Sequence, residues 1–540
     1  MVQLHTVHRP DHQQSETAAV TNALSKLKND STATIPIEDE NKYLVEFSEN
    51  DSENPKNWSQ VKKWTVVFAI TLINICTGLA MTVYASIGDT MMRDTGATHL
   101  EYISGMTTFM LSVAFLPLIL SPMSESFGRR KIYLVTTSLH ALLFLPQILV
   151  KNIAVIVVMR LLQGGCSSVG NTLVGGSIAD MFNASERGLP MAVFSLFAIG
   201  TQGVGPSWSG YAQINLDGIR GLGGWQWALW ITFIINCISS IINILVLKET
   251  RANVIIERRA HALKTRTGLP YYATGTVKFT AKDITMSLKR SFQLFIEPIV
   301  FALSLWCGFL WGVVYLILAA IPSTFEAAYG FNPGQSHLVL ISITIGSVIG
   351  FLSNFHQQSL YRRRAARSVN NKCNPEVRLY WTCAGGLLFS FGCLIMAWTT
   401  RNEVQFVIPC LFGLVMLIWG IYVVYTALFN YLSDCYETYA SSAQASTSAF
   451  RNFLGAIFPL FSMKMYEEMT APFDRTCPLD HSLPAYHEYG QLQSHHVQTD
   501  TIPDGPAIRS KSKIASQLAK SEEREAVHPT LKSVPTLNKV

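Results

Sequence analysis

Apolar stretches of about 20 residues recur along this chain, near 64–87, 102–121, 132–150, 153–179, 189–212, 225–247, 297–321, 337–355, 380–400, 404–432 and 440–465. Each is long enough to cross a bilayer as a helix, and lipid tolerates no backbone polar group left unpaired. An all-α membrane protein is therefore expected. The composition agrees: 49% of the 540 residues are hydrophobic and 14% are charged, against about 25% charged in a soluble domain. The ten cysteines are scattered singly, and Cys76, Cys166, Cys237 and Cys307 lie inside apolar runs. They read as small buried residues rather than disulfides, and neither a metal site nor a cofactor is expected.

The spacing of the runs divides the chain. Residues 1–63 are polar, start without an apolar leader, and read as a disordered cytoplasmic arm, with Trp and Lys over Asp51–Trp64 placed as an interfacial anchor just before the first span. Six runs over 64–247 form an N-terminal half, 248–295 is a polar basic loop, five runs over 296–466 form a C-terminal half, and 467–540 is a polar tail. Basic clusters at Arg129–Lys131, in the central loop, and at Arg362–Arg367 with Lys372 and Arg378 fall on one side. The positive-inside rule makes that side the cytoplasm, so the sequons at Asn29, Asn50, Asn57 and Asn183 are expected to stay unmodified. Two sets of spans around a basic loop suit a transporter with a substrate site between its halves.

Four groups of residues stand out. In the fifth run, Gly200, Gly203, Pro206, Ser207 and Gly210 share one helical face, with Gly205 beside it, leaving a bare groove for a neighbouring backbone. In the fourth, Arg160, Gln163, Gly164, Ser167 and Asn171 form a polar stripe; a membrane-embedded arginine needs a watery cavity or a partner, although snorkelling or a structural pairing would also account for it. Between the second and third runs, Gly128-Arg129-Arg130 sets two guanidiniums near Glu125 and Asp180, a candidate gate as well as an ordinary topology signal. Trp311 with Tyr315, and Trp419, Tyr422 and Phe429, are candidate cavity aromatics, although such stripes are often packing.

The order of these motifs resembles the major facilitator superfamily, and most closely its fungal drug:proton antiporter family with twelve helices, over about Asn54–Met469. The carriers are P-M-S-E-S-F-G-R-R-K at Pro122–Lys131, M-R-L-L-Q-G at Met159–Gly164, the Gly-Pro stretch at Gly200–Gly210, Glu249-Thr250, R-R-A at Arg258–Ala260, P-E-V-R-L at Pro375–Leu379, and Arg451-Asn452 through Phe458-Pro459-Leu460. The resemblance implies the two-half facilitator fold, proton coupling through Arg160, Gln163 and Asn171, a cytoplasmic gate at Glu125, Gly128, Arg129, Arg130 and Asp180, and an antiporter motif at Gly200, Gly203, Gly205, Pro206 and Gly210. Glu125 stands where Asp is commoner, and Ser209 replaces one glycine of the antiporter pattern.

The expected function is export of small amphiphilic or cationic compounds, such as drugs, toxins or polyamines, in exchange for protons across the plasma membrane, by a monomer that is not an enzyme and binds no nucleic acid. No Walker P-loop is visible in the sequence to couple transport to a nucleotide. Asp89, Glu101, Glu297, Glu326 and Asp434 all fall near span ends and His140 reads as packing, so no proton acceptor is assigned; the shortage of acids favours mostly apolar compounds. An importer or facilitator on the same scaffold, or an inactive paralogue or membrane sensor, are the alternatives. The last follows from Thr470–Asp504, rich in His, Pro and Gln, which cannot span where a twelfth helix should, and which reads as a misread segment ahead of a basic tail bearing Arg509, Lys511 and Lys513.

Overall fold

The computed structural model describes residues 43–48, 50–183, 186–273, 281–365, 375–401, 403–436 and 440–476. Most of Thr470–Asp504 and the whole basic tail lie outside them. The N-terminal half comprises α1 (Gln60–Ser86), the short α2 (Gly88–Thr95), α3 (His99–Phe115) with α4 (Pro117–Phe127), α5 (Arg129–Leu142) with α6 (Phe144–Leu149), α7 (Ile153–Met181), α8 (Gly188–Asn215) and α9 (Gly224–Val246). Two connecting helices follow, α10 (Ala252–Thr267) and α11 (Ala281–Ile296). The C-terminal half comprises α12 (Pro298–Tyr329), α13 (Pro333–Leu338) with α14 (Ile341–Ala365), α15 (Leu379–Thr399), α16 (Val415–Tyr436) after a π-helical turn at Pro409–Leu414, and α17 (Ala440–Thr476).

Among the described residues, nine helices are long and apolar enough to cross a membrane, and the α3–α4 pair, bent by 45°, makes a tenth. The bend falls at Leu116, where Pro117 lacks the N–H that would continue the helix. The run expected over 440–465 lies in α17, where Gln444, Arg451 and Asn452 interrupt the apolar residues. Within the spans, hydroxyls such as Thr232 and Ser207 return their protons to carbonyls one turn back, at 2.8 and 2.6 Å, so these polar groups are buried already paired.

The disordered arm expected up to residue 63 needs correcting over its last stretch. Leu44–Val45 (β1) pairs in parallel with Tyr272–Ala273 (β2), and Tyr43 packs edge-on against Tyr271 with ring centroids 5.7 Å apart. Arg259 of α10 holds Asp51 at 2.6 Å and Glu53 at 2.8 Å. Val45, Ile256, Ala260 and Ala273 close a small core of their own. Alternating apolar residues at 43, 45 and 47, together with a basic helix facing two carboxylates, give this segment enough to fold on. The Arg259 bond holds the Asp51 carboxyl below the usual aspartate range.

Candidate functional site

Gly128 ends α4 with φ +95°, a conformation that side chains rarely adopt, and thereby starts α5 directly at Arg129. The α5 N-terminus is capped from a distance: Glu249, beyond the end of α9, accepts the backbone N–H of Arg129 at 2.9 Å and of Arg130 at 3.2 Å. A carboxylate there answers the positive helix end. A Cβ on Gly128 would overlap the Glu249 carboxylate. The Arg129 side chain runs across the bare surface of Gly176 and donates from Nε to Asp180 Oδ2 at 2.6 Å. Arg251 adds a second cation to Asp180 at 3.5 Å and stands 4.0 Å from Glu125, whereas Arg130 turns away to the Ile244 carbonyl at 3.3 Å.

The structure thus brings Glu125, Gly128, Arg129 and Asp180 into one cluster, with Glu249 and Arg251 as members the sequence analysis did not assign to it. All of them belong to the N-terminal half or its exit. The C-terminal half carries a counterpart. Arg378, at the head of α15, donates to Asp434 near the end of α16 at 2.6 Å, and Tyr361 donates to the same carboxylate at 3.3 Å. Each half therefore ties the start of one span to the end of the next by an arginine–aspartate bond. These bonds, α10 and α11 mark one end of the bundle, the basic end.

The Gly-Pro stretch of α8 remains helical through Pro206 and lies between two partners. On one side a Cβ on Gly205 would overlap Thr82 Oγ1 of α1, and Ser209 shares a hydrogen bond with Ser86. On the other, a Cβ on Gly203 would overlap the Leu340 carbonyl, and one on Gly210 would fall 2.7 Å from His337 Cβ. Thr344 donates to the Gly200 carbonyl at 2.8 Å. The glycine face is therefore a seam between the halves, α8 against α13 and α14. At the opposite end from the basic loops, Arg93 bonds Asp217 at 2.8 Å, and the Gly224 N–H followed by Arg93 keeps the Asp217 carboxyl below its ordinary range.

Between the halves, on the basic side of the seam, lies a cavity of about 60 Å³. Glu125, Arg129 and Asn171 line it from one half, and Asn354, Tyr425, Phe429 and Gln444 from the other. Of the expected cavity aromatics, Phe429 lines it, whereas Tyr422 is buried against α8 with its hydroxyl on the Ala192 carbonyl at 2.9 Å. Trp419 is directed to Ser353 at 3.1 Å and takes no part in the cavity wall. Trp311 and Tyr315 pack behind Tyr425, with centroids 5.8 Å apart in a tilted pair and 6.0 Å from Trp311 to Tyr425 edge-on. Tyr425 was not among the expected aromatics, although it stands one turn from both Tyr422 and Phe429.

Arg160 is 1% exposed and sits inside the N-terminal half. Its guanidinium lies 3.8 Å from the Tyr84 ring centroid and donates to the Ala80 carbonyl at 2.8 Å and to Gln163 at 3.3 Å. Gln163 in turn accepts from Gln147 at 3.2 Å, while Asn171 accepts from Asn74 at 2.9 Å. Arg160 and Asn171 therefore occupy different depths: only Asn171 reaches the cavity. In the other half the buried Arg451 packs against Trp311 and Tyr425, with its guanidinium carbon 5.1 and 5.3 Å from their ring centroids.

A family model described as the Major Facilitator Superfamily matches residues 70–459. The efflux pump FUB11 of Gibberella moniliformis is 30% identical over 441 residues, covering 81% of this chain and 73% of its own. The multidrug transporter mdrA of Aspergillus fumigatus is 28% identical over 436 residues, covering 80% and 70%. Among solved structures, the xylose transporter XylE from E. coli matches with a TM-score of 0.51 at 12% identity, covering 77% of this chain and all of that one. A bacterial homolog of the human lysosomal transporter Spinster matches at 0.52 and 15%, covering 78% and 85%. The structural likenesses carry the fold alone, but the family match spans most of the chain and every helix described above except the ends of α17 and α1. The chain belongs to the major facilitator superfamily.

Proposed function

We propose that this protein is a proton-coupled secondary transporter that exports small amphiphilic compounds by alternating access. The basic end faces the cytoplasm, as the positive-inside rule requires, and the membrane is the plasma membrane. The observation that carries the reading is the seam at Gly203 and Gly210, closed on the Leu340 carbonyl and the His337 side chain at the end away from the basic loops, while the cavity lies on the loop side. A transporter that collects its cargo from the cytoplasm needs that arrangement in its loading state.

The names of the relatives point the same way, since FUB11 is called an efflux pump and mdrA a multidrug transporter. Proton coupling rests on the Arg160–Gln163 stripe and its place in the family resemblance. Arg160 cannot itself release a proton near neutral pH, so its part is to orient donors and hold water beside Tyr84. The test is a resistance screen in a pump-deficient host. Expression is expected to raise tolerance to apolar toxic compounds at least several-fold, and a protonophore to abolish the gain. Raised sensitivity would instead favour import.

A further inference from the structure

We infer that the compounds carried are apolar monoanions, whose carboxylate is received by Arg451 in a box formed with Trp311 and Tyr425. The inference rests on the exporter reading and narrows its substrate class. Arg451 is 9% exposed in the middle of α17, and a guanidinium keeps its charge at any physiological pH. Its polar contacts are Asn452 Oδ1 at 3.3 Å and the Tyr425 hydroxyl. Both are neutral. Among the described residues it has no ion pair, and a buried charge left unpaired is strongly unfavourable.

Beside it, the Trp311 Nε1–H is buried without a hydrogen-bond partner. A buried donor left free next to an unpaired cation is what an acceptor with negative charge would satisfy. The box adjoins the cavity: Tyr425 belongs to both, and Ser448, one turn before Arg451, lines the cavity wall. It also touches the other half. Tyr315, packed against Trp311, reaches Met81 Sδ of α1 at 4.0 Å. An anion held there would sit where the halves close on each other.

The rest of the membrane interior favours the same sign. Arg160, buried inside the other half, also has no carboxylate partner among the described residues, and its Nε and one terminal nitrogen are unpaired. The acids of the spans stand at their ends, as Glu125, Asp180, Glu326 and Asp434 do. Two fixed cations without buried anions make an interior that repels cationic cargo. Among the described residues lining the cavity the one carboxylate is Glu125, which shares its surroundings with Arg129 and Arg251, so the polyamines expected as one substrate class find little negative charge to meet them.

The test uses the full chain in nanodiscs and three probes of one shape: 2-naphthoate, 2-naphthamide and 2-naphthylmethylamine, with binding read from tryptophan fluorescence. The acid is expected to bind about tenfold tighter than the amide, and the amine weakest. Arg451→Gln should bring the acid to the level of the amide, and Arg451→Lys should keep part of the preference. Equal binding of acid and amide to the unaltered protein, or tighter binding of the amine, overturns the inference, as does a preference that survives in Arg451→Gln. If Arg451→Gln does not fold, the three-probe comparison on the unaltered protein decides. Proton-driven efflux of the amide with no preference for the acid would overturn this inference while leaving the exporter reading intact.

Discussion

Arg129 and Asp180 meet at 2.6 Å with the arginine almost wholly buried, so the start of α5 and the end of α7 move as one body. Removing the acid strands a buried guanidinium. Asp180→Asn is therefore expected to destabilise the protein by about 3 kcal/mol, in line with broken buried pairs, and Arg129→Gln in the same chain should recover part of the loss. The Arg378–Asp434 bond has the same length, but the Asp434 side chain is 30% exposed. Asp434→Asn should cost about 1 kcal/mol, nearer the value of exposed pairs. Thermal unfolding in detergent across the two double-mutant cycles measures both.

The glycines of α8 are not equivalent, and the difference is a prediction. A Cβ on Gly200 meets nothing closer than 3.7 Å, whereas one on Gly203 collides with the Leu340 carbonyl, which cannot rotate aside. Gly200→Ala should leave a reconstituted protein as tight to protons as the unaltered one. Gly203→Ala, by prising α8 from α14, should raise the proton leak at least several-fold with little change in expression. Gly205→Val and Pro206→Leu are expected to uncouple efflux in the same way. Decay of a pH gradient in proteoliposomes reports all four.

Arg160 tests the coupling machinery separately from binding. A lysine there cannot both lie on the Tyr84 ring and bond Ala80 and Gln163. Arg160→Lys and Arg160→Gln should lose gradient-driven accumulation by tenfold or more while retaining exchange of labelled for unlabelled probe. Equal loss of both activities would make Arg160 a structural residue.

The clamp between Asp51 and Arg259 is constitutive at cellular pH. Because bonding to Arg259 lowers the Asp51 carboxyl from the ordinary value of 3.8, its contribution is complete above that value and is lost only as pH falls through the lower folded value. Hydrogen exchange at Leu44, Val45, Tyr272 and Ala273 should change little from pH 7 to 5 beyond the intrinsic rate. Asp51→Ala should speed it at every pH in that range.

How much of this was written in the chain depends on the kind of signal. Spans announce themselves because lipid demands about 20 apolar residues in a row, and the predicted edges fall within a few residues of most observed helices. Gly128, Arg129 and Asp180 were legible because a glycine turn and a buried arginine each need a partner. Glu249 and Arg251 were not, since their place in the cluster depends on how the chain leaves α9 rather than on any local pattern. Trp419 misled because it shares a helical face with Tyr422 but turns to Ser353, and helix spacing alone does not say which neighbour a side chain meets. Arg451 stood in the sequence as an arginine in an apolar helix; only the unpaired Trp311 beside it turns that into a site.

The central claim is exchange of protons for cargo, and inside-out vesicles test it most directly. With the interior made acidic, 2-naphthoate as a weak acid would passively leave, so its accumulation there has to be driven. The account predicts accumulation above that in vesicles lacking the protein, collapsing when a protonophore dissipates the gradient. Transport of naphthoate and its amide that is indifferent to the gradient would contradict it.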